Sequence, residues 1–201
     1  MRTRSNFIRK IALAFAAVGL FAFVIAGCSE LSAPTASPDS SREYSDLWNP
    51  QPGEMINGVE VPLVQEGYWE SLYGPTVNPW MMPPRTFRVG PQGAFIRFGY
   101  HSLLIPSGAV SDFVMISVSN ASVTGVAMDC NPSPFQFNVP VTLTLSYRGT
   151  QYDGTNNPPL AVLYMSPSGS LERMPGSVDP NDMTVTAQTT HFSRYIIGGA
   201  M

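Results

Sequence analysis

Phe135-Gln136-Phe137-Asn138-Val139-Pro140-Val141-Thr142-Leu143-Thr144-Leu145-Ser146-Tyr147 is the stretch that decides the fold. From Val141 onward Val, Leu, Leu and Tyr alternate with Thr, Thr and Ser. Successive side chains of a strand point to opposite faces, so this pattern is a strand with one buried and one wetter face. Phe135 and Phe137 share a face by the same two-residue period, and Pro140 is read as opening the strand.

Outward from this stretch the chain is strand and turn. Thr86–Val89, Ala94–Phe98, Ser102–Ile105, Phe113–Val118, Ala161–Met165, Met183–Ala187 and Phe192–Ile197 are short β-rich runs. Turn-forming clusters separate them: Pro106-Ser107-Gly108, Asn131-Pro132-Ser133-Pro134, Asp153-Gly154, Pro167-Ser168-Gly169 and Asp179-Pro180-Asn181-Asp182. No twelve-residue stretch carries a 3.6-residue period. The expected fold is all-β, an antiparallel β-sandwich over residues 85–201.

The amino-terminal end reads as an address. Arg2, Arg4, Arg9 and Lys10 precede an unbroken apolar run from Ile11 to Ala26, then Gly27 and Cys28. That is a basic region, a short apolar region and small residues before a cut site. The run is shorter than the ~20 residues a spanning helix needs. Ile25-Ala26-Gly27-Cys28 resembles the bacterial lipobox. The resemblance implies that residues 1–27 are a signal peptide and that Cys28 is lipidated by acyl chains such as palmitate. It also implies a lipid-anchored protein of the bacterial cell envelope, with Ser29 pointing to the outer membrane where one exists. Two or three acyl chains anchor stably where one does not.

Residues 28–43 follow as a polar, Pro-containing tether, whose fourteen residues Ser29 to Arg42 can reach ~46 Å at about 3.3 Å per residue. Residues 44–84 are an aromatic, Pro-rich connector that holds Trp48, Trp69 and Trp80. Asn57-Gly58 between Glu54-Met55-Ile56 and Val59-Glu60-Val61 predicts a small hairpin. The tryptophans either pack on the following domain or form an exposed face that stacks on sugar rings.

The chain has 201 residues, with 11 basic against 14 acidic, 12% charged and 44% hydrophobic. All fourteen acids follow Cys28, so removal of residues 1–27 leaves seven basic residues and a net charge of −7. Such a balance argues against a nucleic-acid partner. Two cysteines exclude a disulfide-dense scaffold. With Cys28 lipidated, Cys130 stands alone and is read as a small buried hydrophobe or a loop thiol.

Chemistry is sparse in the sequence. His101 and His191 lack a metal-ligand spacing, and no metal or cofactor is expected. Asp153 with Asn156-Asn157, and Asp179 with Asn181-Asp182, have oxygen ligands for calcium but are read as turn residues. No phosphate loop, HExxH or nucleophile elbow occurs.

Three islands resemble the ZU-five domain, the β-sandwich of zonula occludens proteins, ankyrins and netrin receptors. They are Ser102-Leu103-Leu104-Ile105-Pro106-Ser107-Gly108-Ala109-Val110, Pro134-Phe135-Gln136-Phe137-Asn138-Val139-Pro140-Val141-Thr142-Leu143 and His191-Phe192-Ser193-Arg194-Tyr195. They stand in family order over about 95 residues. Where the family has paired glycines at the domain start, this chain has Val89-Gly90-Pro91-Gln92-Gly93. The resemblance implies a ZU-five-like, non-catalytic interaction or scaffold module with an envelope protein or glycan partner. The alternative reading is envelope-polymer or carbohydrate binding through the tryptophans. A third is self-cleavage, because some relatives cut themselves between Phe and Ser of this motif, making His191, Phe192 and Ser193 candidates. The Phe192–Ser193 bond is expected to stay intact, since the cutting relatives use a further upstream histidine and none occurs between His101 and His191.

Overall fold

The alternating apolar faces close on one another as two antiparallel sheets in a computed structural model that describes residues 48–56 and 59–199. The signal segment, Cys28 and the tether lie outside the described residues. In chain order the elements are β1 (Met55–Ile56), β2 (Val59–Glu60), α1 (Tyr68–Tyr73), β3 (Arg85–Val89), β4 (Ala94–Phe98), β5 (His101–Ile105) and β6 (Val114–Asn120). They continue as β7 (Ala127–Asn131), β8 (Gln136–Ser146), β9 (Leu160–Met165), β10 (Leu171–Arg173), β11 (Gly176–Asp179), β12 (Thr184–His191) and β13 (Arg194–Gly199). One sheet has six strands in the order β10-β9-β13-β7-β6-β3, the other five in the order β11-β12-β8-β5-β4. The fold is an all-β antiparallel sandwich.

The β8 alternation is the spine of the five-stranded sheet. Val141, Leu143, Leu145 and Tyr147 are fully buried in the inter-sheet core, while Thr142 and Thr144 are half-exposed on the outer face. Ile96, Phe98, Leu103, Ile105, Val185 and Ala187 extend that inner face, opposite Ile116, Val118, Met128, Val162, Tyr195 and Ile197. Burying each large apolar side chain contributes about 1.5–3 kcal/mol. Pro140 does not open β8, which starts at Gln136. It sits where the β12 partner shifts from Val141↔Thr189 to Gln136↔His191, a bulge that tolerates a residue without an N–H.

The corner between β3 and β4 needs Gly93. Its φ is +80°, and a Cβ there would lie 2.3 Å from the Ile105 carbonyl oxygen.

A second apolar cluster lies on the outside of the six-stranded sheet: Ala127, Leu163, Met165 and Ile196 with Val61 and Trp48. The segment from residue 48 covers this face. The Trp48 N–H donates to the Ala121 carbonyl at 2.8 Å, and the Val64 N–H to that of Thr124 at 2.8 Å. β1 and β2 pair as Met55↔Glu60 and Ile56↔Val59, the expected hairpin, with its turn outside the described residues.

β7 reads Ala-Met-Asp-Cys-Asn and was not legible as a strand. Its first four residues are all buried, because Met128 and Cys130 face the core while Ala127 and Asp129 lie on the covered face. β10, β11 and α1 leave no such pattern: β10 and β11 are edge strands without a buried residue, and α1 is shorter than two turns.

Candidate functional site

The candidate residues for chemistry are held by the fold rather than offered to solvent. His101 opens β5 and is buried; its Nδ1 accepts the Ser146 N–H at 3.0 Å. Burial lowers its pKa to about 4, so the ring is neutral at physiological pH. Cys130 is buried in the core, and burial, with Asp129 beside it, pushes its thiol up and away from the reactive thiolate.

His191 ends β12. Its ring meets Tyr164 edge-on at 4.9 Å and stacks on Tyr195 at 6.5 Å. Its carbonyl accepts hydrogen bonds from the Tyr195 hydroxyl and, at 2.9 Å, from Thr189 Oγ1. Phe192 is buried against Phe135 and Phe137, and its N–H donates to the Phe135 carbonyl at 2.9 Å. Ser193 Oγ donates to the Met165 carbonyl at 3.3 Å, across the strand, and makes no hydrogen bond to His191. The Phe192 carbonyl accepts from Ser133 Oγ at 3.0 Å. His101 is anchored to β8 and forms no contact with this motif among the described residues. The three residues are therefore adjacent in sequence without forming a nucleophile–base pair.

The acidic turns serve their own backbone. Asp153 Oδ2 accepts the Gly149 N–H at 2.7 Å, and Asp179 Oδ1 accepts the N–H groups of Asn181 at 2.9 Å and Asp182 at 3.4 Å. Asn157 adopts a left-handed turn conformation with φ 53°. Among the described residues no group of three or more His, Cys, Asp or Glu is placed to hold a metal ion.

The tryptophans do not build one exposed face. Trp69 on α1 is 9% exposed, and its Nε1 donates to the Val123 carbonyl at 2.8 Å. It packs edge-on against Tyr68 at 4.9 Å, and Tyr68 in turn lies over Gly149, where a Cβ would meet the ring at 2.4 Å. Trp48 is half-buried against the outer apolar cluster. Trp80 lies in the helical turn Pro79–Met81, its side chain outside the described set. The expectation of sugar stacking through these rings is corrected for Trp69: its indole N–H and ring surface are already used inside the protein.

The open face is elsewhere. On the outside of the five-stranded sheet, register places Arg97, Ser102, Thr144 and Thr186 in one cross-strand row. Beside it runs the row Phe95, Leu104, Thr142 and Gln188. Phe95 is 62% and Leu104 47% exposed. A groove of about 470 Å³ follows the first row, bounded by Tyr100, Arg148, Thr184 and Asp182. The Arg148 guanidinium lies 5.1 Å from the Tyr100 ring centroid. These groove residues escaped the sequence reading because they come from four separate segments. The only local signal was the Thr-Ser face of β8.

Compared with known proteins, the chain matches no family model, and no curated protein matches it at a significant level. The described residues define a class, an antiparallel β-sandwich with Trp48 and Val61 packed over part of one outer face and the other outer face open. No helix among them is long and apolar enough to cross a membrane.

Proposed function

We propose that this chain is a lipid-anchored protein of the bacterial envelope, held by acyl chains on Cys28, whose ZU-five-like sandwich is a non-catalytic binding module. The contrast between the two outer faces carries the reading. The chain covers the β7, β13 and β9 part of the six-stranded face itself and leaves Met115 of β6 exposed, whereas the five-stranded face presents Phe95, Leu104, Arg97 and a hydroxyl-lined groove to solvent. Exposed apolar side chains grouped beside polar ones mark interaction surfaces. The engagement of His101, Cys130 and Ser193 in structural hydrogen bonds or core packing supports a role in binding rather than turnover. The lipobox-like Ile25-Ala26-Gly27-Cys28 and the tether after it supply an anchor and a spacer that hold the module off a membrane.

Two measurements test this. Cys28→Ser should leave the protein unlipidated and move it out of the membrane fraction. A variant with its signal removed that still stays in the membrane refutes the anchor. A pull-down from detergent-solubilised envelope should lose its partner when Phe95 and Leu104 are replaced together by serine. Partner capture unchanged by that replacement refutes the open face as the binding surface.

A further inference from the structure

The groove on the five-stranded face holds several donors that the protein leaves unused, beside Thr144 and Ser146, whose hydroxyls bond to Thr186 and to the Met183 carbonyl. Arg97 projects from β4, the edge strand, and among the described residues no carboxylate pairs with it. The hydroxyls of Ser102 and Thr184 have no hydrogen-bond partner among the described residues, and both line the groove. Among the described residues the Arg148 guanidinium makes a ring contact with Tyr100 and no side-chain hydrogen bond. Two of the seven basic residues left after Cys28 thus converge on one groove, with Asp182 as its one acid. The rest of that chain is strongly acidic, so the groove is a local reversal of charge.

We propose that this groove binds a carboxylate-bearing saccharide, with Arg97 and Arg148 on the carboxylate. The inference rests on the reading of the sandwich as a binding module. The volume of about 470 Å³ falls in the range, about 300–1,000 Å³, of small-ligand sites. Guanidinium groups present planar forks of N–H donors matched to a carboxylate, and charge-assisted bonds of this kind are the stronger ones. Ser102 and Thr184 donate to ring or hydroxyl oxygens, and Asp182 accepts from a sugar hydroxyl. Tyr100, 43% exposed, offers an aromatic edge or face to the apolar side of a sugar ring.

An acidic peptide fits less well. The groove crosses β5, β8 and β12, strands whose backbone groups are already paired within the sheet. A peptide lying there gains no main-chain ladder, which is the usual source of its affinity at a sheet. A saccharide needs none, because its hydrogen-bonding groups lie around its rim.

Calorimetry of the full chain in detergent micelles tests this, with trigalacturonate as the probe. A neutral galactose trimer and tetraglutamate serve as comparisons. Trigalacturonate should bind, and each of Arg97→Ala and Arg148→Ala should weaken it about tenfold. Arg148→Lys, which keeps the charge and loses the fork, should weaken it too. Arg88→Ala, on the other sheet over Phe113, should leave binding unchanged. Raising salt to about 0.5 M should weaken it, because the site is open to screening. Unchanged melting temperatures of the arginine variants establish that the fold is intact.

Absence of trigalacturonate binding at millimolar concentration overturns the proposal. So does equal binding by the neutral trimer, which would mean that charge is not read. Equal binding by tetraglutamate would mean that the sugar is not read, and also overturns it. An envelope partner that is captured equally by wild type and by the double arginine variant overturns the groove while leaving the binding-module reading in place.

Discussion

Replacing Phe192 by alanine tests whether the closing motif is core. Phe192 is 1% exposed. Its ring meets Phe137 edge-on at 4.7 Å and lies 6.0 Å from Phe135. Phe→Ala in a packed core costs about 3–5 kcal/mol, the lost transfer energy plus the cavity left behind. The two neighbouring rings come from the segment that enters β8 and cannot easily refill the space, so a loss near 4 kcal/mol is expected. For a domain of this size that lowers the melting temperature by roughly 8–16 °C. Urea and thermal unfolding followed by circular dichroism measure both quantities. A double-mutant cycle with Phe137→Ala should give a coupling of at least about 0.5 kcal/mol, as expected for an aromatic pair in contact. Phe95→Ala, at a position 62% exposed, should change stability by no more than about 0.5 kcal/mol. A loss below about 1 kcal/mol at Phe192, or no coupling to Phe137, would refute the packing argument. Truncation before His191 goes further: it removes β13 from between β9 and β7, and the remaining chain should show no cooperative melting.

Acid should weaken the fold through His101. Its pKa is about 4 in the folded state against 6.5 unfolded, so the unfolded chain takes up a proton first as pH falls. Stability is constant from this source above pH 6.5 and declines by about 3 kcal/mol down to pH 4; urea titrations of wild type and His101→Gln should differ in slope across that window, and parallel slopes would remove the assignment. The Asp129–Arg194 pair, bidentate at 2.8 and 3.0 Å and largely buried, should cost about 3–5 kcal/mol when Asp129→Ala removes the carboxylate from it; denaturant midpoints check this, and a loss under about 1 kcal/mol contradicts it. The Phe192–Ser193 bond should remain intact, since Ser193 Oγ is directed to the Met165 carbonyl and not to a base. Intact mass of the denatured protein reads this directly, and a species lacking Ser193–Met201 that Ser193→Ala abolishes would show the reverse.

The sequence by itself determined the class of fold. The alternation over Val141–Tyr147 dictates which β8 side chains enter the core, because the side-chain period of a strand is two whatever lies across from it. Gly108 at φ +81° and the buried Ala109 and Val110 likewise follow from local turn chemistry that the chain states openly. The address proposed before Cys28 also rests on sequence alone, since such a signal is read from length, charge and a small-residue cut site. What only tertiary structure decided is the second burial. β7 is hidden on both faces because residues 48–64 lie over the six-stranded sheet, and no local pattern announces a cover supplied from sixty residues away. The same packing took Trp69 out of solvent and gave its N–H to Val123. The open groove arose in the same way. Arg97, Ser102, Thr144 and Thr184 stand up to 87 residues apart and become neighbours only through strand register, which sequence separation does not encode.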